Sequence, residues 1–395
     1  MASRGCSFVS GNRLTLLQNG DQYFPAIEAS FDRAKFEIYL ETYIFAYDAT
    51  GQRIVAALKR AVARGVKVYM LIDGYGSKEL PGSVIEQMRH DGLNVIIYRP
   101  KISPWTFRRN RLRRMHRKIV VVDREIAFVG GINIINDREN EGVLFSRYDY
   151  AVAVEGPIVD EIRRSCKQLW SKRAWRFFRH SPLRPEVLPV SRPSFGAMSV
   201  AFLTRDNLHH RRDIEMAYLD AFGNAQSEII LANAYFLPGR DFRQALIGAA
   251  KRGVKVVLLL QGKVEYFLQH YASRALYGSL LDAGIEIYEY PKSFLHAKVA
   301  VVDMQWATVG SSNIDPFSLL LSREANVVVL DDAFSINLAL NLKKTIQDDG
   351  QKILSDHWKE QSYSLRFVSW ICYGLMRLMM GISGYARSPS PPKKR

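Results

Sequence analysis

An α/β fold of two pseudo-symmetric lobes, each a mixed β-sheet flanked by helices, is predicted by three features of the sequence. Segments of the first half return in the second half in the same order. Within each half, short Val/Ile-rich runs alternate with stretches of helical period. A Pro-rich polar stretch separates the two copies. At 395 residues the chain is long enough for two such lobes, each with its own core.

The repeat is read from three collinear matches. Phe36–Leu40 is echoed by Ser227–Leu231, Arg64–Val68 by Arg252–Val256, and His116-Arg117-Lys118 by His296-Ala297-Lys298, at offsets of 191, 188 and 180 residues. Order is kept while loops change length. Val66–Ile72 and Val254–Leu260 are continuous apolar runs, as expected of strands buried on both faces. Ile54–Ala63 and Phe242–Ala250 precede them with apolar residues at helical spacing, and this alternation implies a largely parallel or mixed sheet with helices on both faces. Pro182, Pro185, Pro189 and Pro193 mark the lobe boundary. The expected organisation is a first lobe over 1–185, a linker over 186–197, a second lobe over 198–360, and an apolar and basic segment over 361–395.

Lys and Arg number 55 against 39 Asp and Glu, a formal charge of +16. That excess favours a polyanionic partner, nucleic acid or an anionic membrane surface, and charge does not choose between them. Cys6, Cys166 and Cys372 are far apart and form no CxxC pair, which argues against a disulfide framework or a zinc site and suits a reducing compartment. The N-terminus lacks the apolar run of a signal peptide, and no stretch reaches the ~18 uninterrupted apolar residues of a spanning helix.

The chemistry is concentrated in the third repeat match. His116, Lys118 and Asp123 have the spacing H-x-K-x4-D, followed by Gly130-Gly131-Ile132-Asn133; His296, Lys298 and Asp303 repeat it, followed by Gly310-Ser311-Ser312-Asn313. A lone H-x-K carries little information, but two copies with matching Gly and Asn inside a repeat carry a great deal. Residues two apart on a strand face the same way, so each His and its Lys point at one site. If the lobes pack about a pseudo-twofold axis, both pairs converge on a single phosphate. One neutral imidazole attacks phosphorus while the other, protonated, donates to the leaving oxygen. Two ammonium groups and two Asn side chains stabilise the charge on the non-bridging oxygens, so no metal ion or other cofactor is required. Each imidazole needs an orienting carboxylate. Asp149 and Glu324 stand 16 and 11 residues after the motif asparagines, where each begins an apolar strand returning beside the motif.

The doubled pattern is identified as the HKD signature of the phospholipase D superfamily. The run Phe107–Lys118, with Asp73–Ser77 upstream, resembles bacterial cardiolipin synthases, as do Ala307–Pro316 and Glu324–Val327. The similarity covers nearly the whole chain and is nearest the B subtype; the two N-terminal spanning helices of the longer synthases are not in this sequence. The resemblance implies two phospholipase D-type lobes with the active site at their interface. It implies a catalytic set of His116, Lys118, Asp123, His296, Lys298 and Asp303, with Asn133, Asn313, Asp149, Glu324, Ser311 and Gly131 binding substrate or orienting the histidines. By the same resemblance His116 is the nucleophile, His296 the general acid and base, and Asp123 and Asp303 hold the motif turn without touching substrate. The implied reaction moves a phosphatidyl group from one phosphatidylglycerol to another through a phosphohistidine, releasing glycerol. Attachment to the cytoplasmic face of a bacterial inner membrane, peripheral or monotopic, is implied with it.

Two further features suit a membrane substrate. Arg108, Arg109, Arg111, Arg113, Arg114, Arg117 and Lys118 put seven cations within eleven positions, which beside the active site attract anionic headgroups at roughly 1 kcal/mol per surface-near cation; a solvated basic loop is the plainer alternative. Leu365–Tyr385 is rich in large apolar residues, with Arg366, Arg377 and three glycines interspersed. It reads as an interfacial helix, or else as a helix capping the second lobe. His209 and His210 suit a helix entrance, and His90, His180, His270 and His357 suit the surface. The acidic segment Asp137–Glu141 reads as a solvated turn or part of a substrate loop. Three rival functions share these residues: a nuclease, which lacks a recognisable nucleic-acid module here, a hydrolytic phospholipase D, and a lipid-binding scaffold without activity.

Overall fold

A computed structural model of the chain describes residues 6–100, 114–136, 147–178, 194–206, 210–315, 322–359 and 363–382. The first half contributes seven strands: β1 (Val9–Gln18), β2 (Glu37–Thr42), β3 (Lys67–Asp73), β4 (Asn94–Tyr98), β5 (Ile119–Val122), β6 (Ile126–Gly130) and β7 (Tyr150–Glu155). The second half repeats them as β8 (Met198–Arg205), β9 (Glu228–Asn233), β10 (Lys255–Gln261), β11 (Glu286–Tyr290), β12 (Lys298–Val302), β13 (Trp306–Gly310) and β14 (Glu324–Leu330), and adds the short β15 (Gln351–Lys352).

Across the first lobe the order is β1-β7-β6-β5-β2-β3-β4, and across the second β8-β14-β13-β12-β9-β10-β11, with β15 at the outer edge. In each lobe the three strands joined through helices are parallel, and the remaining neighbours are antiparallel. The mixed sheet expected from the sequence is therefore present twice. A short antiparallel pairing of β1 with β8 joins the two copies edge to edge.

The helices Ala49–Ala63 and Arg240–Lys251 each lead into a parallel strand through the repeated Arg-Gly-Val-Lys turn. Gly65 and Gly253 hold φ of +88° and +89° there, a left-handed conformation that costs a side-chain-bearing residue about 1 kcal/mol or more. This explains why that pentad survives in both copies. Asp48 caps the first of these helices, its carboxylate accepting from Gly51 N at 2.9 Å.

Among the described residues, three apolar clusters hold the molecule together. Two lie on the outer faces of the sheets: Ile27, Phe31, Ile54 and Leu58 pack over the first lobe, and Phe222, Phe242, Leu246 and Leu280 over the second. The third draws on both lobes at once, joining Tyr39, Val121, Val129 and Val152 to Ile230, Val299, Val309 and Val327. Two related helices, Val159–Phe178 and Asp332–Asp349, close it with Trp170, Leu169, Leu338 and Leu342. The lobe interface is thus built as a core, and the ends of β5, β7, β12 and β14 are fixed against one another by it.

The last described helix, Tyr363–Ile382, has two apolar faces. Cys372 and Met376 are buried in the outer core of the second lobe, while Phe367, Trp370, Ile371, Leu375, Leu378 and Met379 form an exposed stripe. One face of this helix caps the second lobe, as one of the two sequence readings expects, and the other face is open to solvent. No helix among the described residues is long and apolar enough to cross a membrane.

Candidate active site

The two motif histidines sit where the lobes meet, and each is held by the other lobe. His116 N donates to Arg323 O at 2.9 Å, and Arg323 N returns a bond to Arg114 O at 2.8 Å. The second motif mirrors this: His296 N donates to Tyr148 O at 2.8 Å and Tyr148 N to Phe294 O at 2.9 Å. Each bridge brings in the acid that follows it in sequence. His116 Nδ1 lies 3.0–3.1 Å from both carboxylate oxygens of Glu324, and His296 Nδ1 lies 2.6 Å from Asp149 Oδ2. Both strands do return beside their own motifs, β7 pairing with β6 and β14 with β13. The histidine that each acid meets is nonetheless that of the other lobe, because the packing of the two lobes sets each acid against its neighbour's histidine.

With Nδ1 turned to a carboxylate, the Nε2 lone pair of each ring is free for chemistry. Burial pushes the His116 imidazole below its ordinary range against the pull of Glu324, and pushes that of His296 well below it, reinforced by Lys298. Burial also lowers the ammonium groups of Lys118 and Lys298 to about 7 and about 8 and raises the Asp149 carboxyl to about 6. A phosphodiester entering between these groups would raise the proton affinity of every basic one. Lys118 Nζ donates to His116 O at 2.8 Å, and Lys298 Nζ donates to His296 O, so each lysine is folded against its own histidine.

The remaining motif residues divide into two groups. Asn133 lines a cleft of about 240 Å³ with Asn19, Arg147, Asp149 and His296; its Oδ1 accepts from Ile44 N at 3.0 Å, which turns the amide nitrogen outward. Asn313 is buried at the matching position. Ser311 Oγ donates to Glu324 Oε2 at 2.6 Å. Gly131 occupies the equivalent place in the first lobe, where a Cβ would stand 2.3 Å from Asp149 Oδ1, so only glycine leaves room for that carboxylate. Asp123 and Asp303 stand apart from this cluster, beyond the far ends of β5 and β12. Asp123 accepts from Lys35, Phe36 and Glu37 N at 2.9–3.0 Å, and Asp303 from Gln226, Ser227 and Glu228 N at 2.8–3.0 Å. Both hold positive φ at the hairpin turn.

Several expectations need correction. Arg114 and Arg117 do not belong to a surface patch: Arg114 is buried in an ion pair with Asp73, and Arg117 in one with Glu41 at 2.7 Å. Arg108, Arg109, Arg111 and Arg113 lie outside the described residues, as do His180, His209, Asp137–Glu141 and the C-terminal basic tail; the side chain of His357 is also outside them. His270 is not simply exposed but half-buried beside a cleft. Sequence reasoning missed Tyr43, edge-on to the His116 ring at 4.7 Å, and Asn19, whose Oδ1 accepts from Asp149 N at 3.0 Å. In the sequence Asn19 is marked by the turn dipeptide Asn19-Gly20, in keeping with its φ of +57°, but Tyr43 has no such mark.

A family model described as a cardiolipin synthase, phospholipase D-like domain matches residues 27–170 and 218–346. Cardiolipin synthase B of Shigella flexneri and that of Escherichia coli (strain K12) are each 38% identical over 391 residues, covering 98% of this chain and 93% of theirs. Among solved structures, the phosphatidylserine synthase of Haemophilus influenzae Rd KW20 superposes with a TM-score of 0.68 at 13% identity, over 96% of this chain and 98% of that one, a likeness of fold alone.

Proposed function

Because the chain belongs to the cardiolipin synthase family of phospholipase D-like proteins, we propose that it is a phosphatidyltransferase that moves a phosphatidyl group from one phosphatidylglycerol to another. The observation that carries this reading is the reciprocal pairing of two histidines with two carboxylates across the lobe interface, beside a cleft that Asn133, Arg147, Asp149 and His296 line.

In the first half-reaction His116 Nε2 attacks phosphorus. The phosphorus–oxygen bond to the glycerol headgroup breaks, and His296 supplies the proton to the leaving oxygen. The His296–Asp149 pair can hold that proton between them, since burial has already raised the carboxyl to about 6 and the substrate's charge adds to the effect. As His116 becomes cationic, Glu324 stabilises it, while Lys118, Lys298 and the Asn133 amide face the phosphoryl oxygens. In the second half-reaction the headgroup hydroxyl of another phosphatidylglycerol gives its proton to His296 and attacks phosphorus, and the bond to His116 breaks. One phosphodiester is exchanged for another, so no nucleotide activation enters.

Membrane attachment is assigned to the exposed stripe of the helix Tyr363–Ile382. A helix held to the protein by one face and apolar on the other suits peripheral docking at the lipid interface, and the net charge of +16 favours an anionic leaflet.

The test is incubation of the purified chain with phosphatidylglycerol vesicles, followed by mass spectrometry of the lipids. Cardiolipin with equimolar glycerol, both absent with His116→Ala, is the expected result. Phosphatidic acid alone would reassign the reaction to hydrolysis, and no lipid product from vesicle-bound protein would overturn the lipid substrate.

A further inference from the structure

The two lobes are alike in fold but not in how they surround their histidines. Asp73 ends β3 and Gln261 ends β10, 188 residues later, and both serve the segment just before the motif: Asp73 Oδ2 accepts from Met115 N at 2.9 Å and Gln261 Oε1 from Leu295 N at 2.7 Å. In the first lobe the rest of this place is filled. Asp73 also receives the Arg114 guanidinium and the amides of Tyr75 and Gly76. In the second lobe it is open. Gln261, 8% exposed, has no partner for its amide nitrogen among the described residues, and it lines a solvent-open cleft. A buried amide without a partner costs about 1–3 kcal/mol, so a ligand that accepts from it is favoured there.

The rest of the lining identifies that ligand. Tyr235, Lys263, Glu265, Tyr266 and His270 share the cleft with Gln261, and the Tyr235 hydroxyl donates to Glu265. An amide donor, a carboxylate, a phenol and an ammonium suit a neutral ligand that both donates and accepts. A phosphate would meet the charge of Glu265. The cleft also adjoins the reaction site, since Arg147, which lines the cleft of His296 and Asp149, lies 3.8 Å from Glu265. Its outer wall includes Tyr266, next to the helix Phe267–Arg274 that packs against the interfacial helix Tyr363–Ile382.

We propose that this cleft is the polyol subsite, holding the uncharged glycerol-type headgroup that leaves in the first half-reaction and the one that enters in the second. The inference rests on the phosphatidyl-transfer reading. In the first step the headgroup oxygen takes its proton from His296 as its bond to phosphorus breaks. In the second, a headgroup hydroxyl seated in the cleft returns a proton to His296 as it bonds phosphorus and the phosphorus–nitrogen bond to His116 breaks. Among the described residues this space lies on the His296 side, which matches its assignment as the acid and base.

The test is headgroup exchange: phosphatidylglycerol vesicles are incubated with deuterated glycerol, and labelled phosphatidylglycerol and phosphatidic acid are counted. Both arise from the same phosphatidyl-histidine, so their ratio reports alcohol binding separately from bond cleavage. Glu265→Gln and Tyr235→Phe should each raise the half-saturating glycerol concentration about tenfold or more, by loss of a hydrogen bond to a charged or polar partner. Hydrolysis without glycerol should fall as well, because the donor's headgroup occupies the same cleft, so the deciding readout is the ratio of labelled phosphatidylglycerol to phosphatidic acid at a fixed glycerol concentration, which should drop about tenfold. An unchanged ratio in both variants would overturn the polyol subsite while leaving phosphatidyl transfer standing, and so would exchange with ethanolamine as efficient as with glycerol. No exchange, hydrolysis or cardiolipin from the parent protein would instead overturn the transfer reading and this inference together.

Discussion

Replacing Glu324 with Gln, in the second lobe, should disable the nucleophile of the first. The substitution is chosen to remove charge and little else: an amide oxygen can still accept from Ser311 Oγ, now 2.6 Å away, and from His116 Nδ1. What disappears is the attraction between the carboxylate and the cationic histidine formed on attack. At an effective dielectric of about 20, unit charges 3.1 Å apart attract by roughly 5 kcal/mol. At about 1.4 kcal/mol per tenfold, phosphatidyl-histidine formation should slow by three to four orders of magnitude. Rapid-quench measurement of glycerol release in the first turnover reads this step, with thermal unfolding alongside to show that the fold is kept. The crossed wiring has its own signature in the proton spectrum. The low-field Nδ1–H resonance of His116 should move in Glu324→Gln and stay in Asp149→Asn. A first turnover within tenfold of the parent, or a His116 resonance that follows Asp149 instead, would refute the crossed assignment.

Three other outcomes are expected. Asp123→Ala removes an acceptor from three backbone amides and should cost about 2–4 kcal/mol of stability by denaturant titration, while the folded fraction keeps kcat within a few-fold. For the pH profile, Lys118 and Lys298 must be charged and the His296–Asp149 pair must hold its proton. kcat/KM should therefore fall as pH rises through about 6 to 8, where the pair and then the ammonium groups lose their protons; a flat profile from pH 5 to 9 would contradict this. Glu substitutions at Phe367, Trp370 and Leu378 should abolish sedimentation with phosphatidylglycerol vesicles and leave turnover of a short-chain, monomeric phosphatidylglycerol unchanged.

Much of this architecture was legible in the sequence because repetition amplifies weak signals. A single Arg-Gly-Val-Lys-Val is unremarkable, but its return announces a second helix–turn–strand unit, and Gly65 and Gly253 supply the physical reason. Most of the residues gathered at the lobe interface were similarly accessible through the doubled motif, although its Asp123 and Asp303 stand apart from them. The geometry between lobes was not. Spacing along the chain tells that Asp149 and Glu324 begin strands, but which histidine each meets depends on how two sheets pack, and no local pattern records it. The same limit applies to Arg114 and Arg117. Their partners Asp73 and Glu41 lie 41 and 76 residues upstream, so a run of cations read as surface charge is partly buried structure. The unequal surroundings of Asp73 and Gln261 were hidden for the same reason, since it is the empty space beside Gln261 that distinguishes them.

The most direct test of the central mechanism is to trap the covalent intermediate. Phosphatidylglycerol labelled with ³²P would be mixed with the parent protein, quenched in alkaline denaturant within the first turnover, and mapped by proteolysis. Acid-labile label confined to the peptide containing His116, and lost in Glu324→Gln, is the predicted result. Label on His296, or cardiolipin formed with no labelled protein at any quench time, would contradict it.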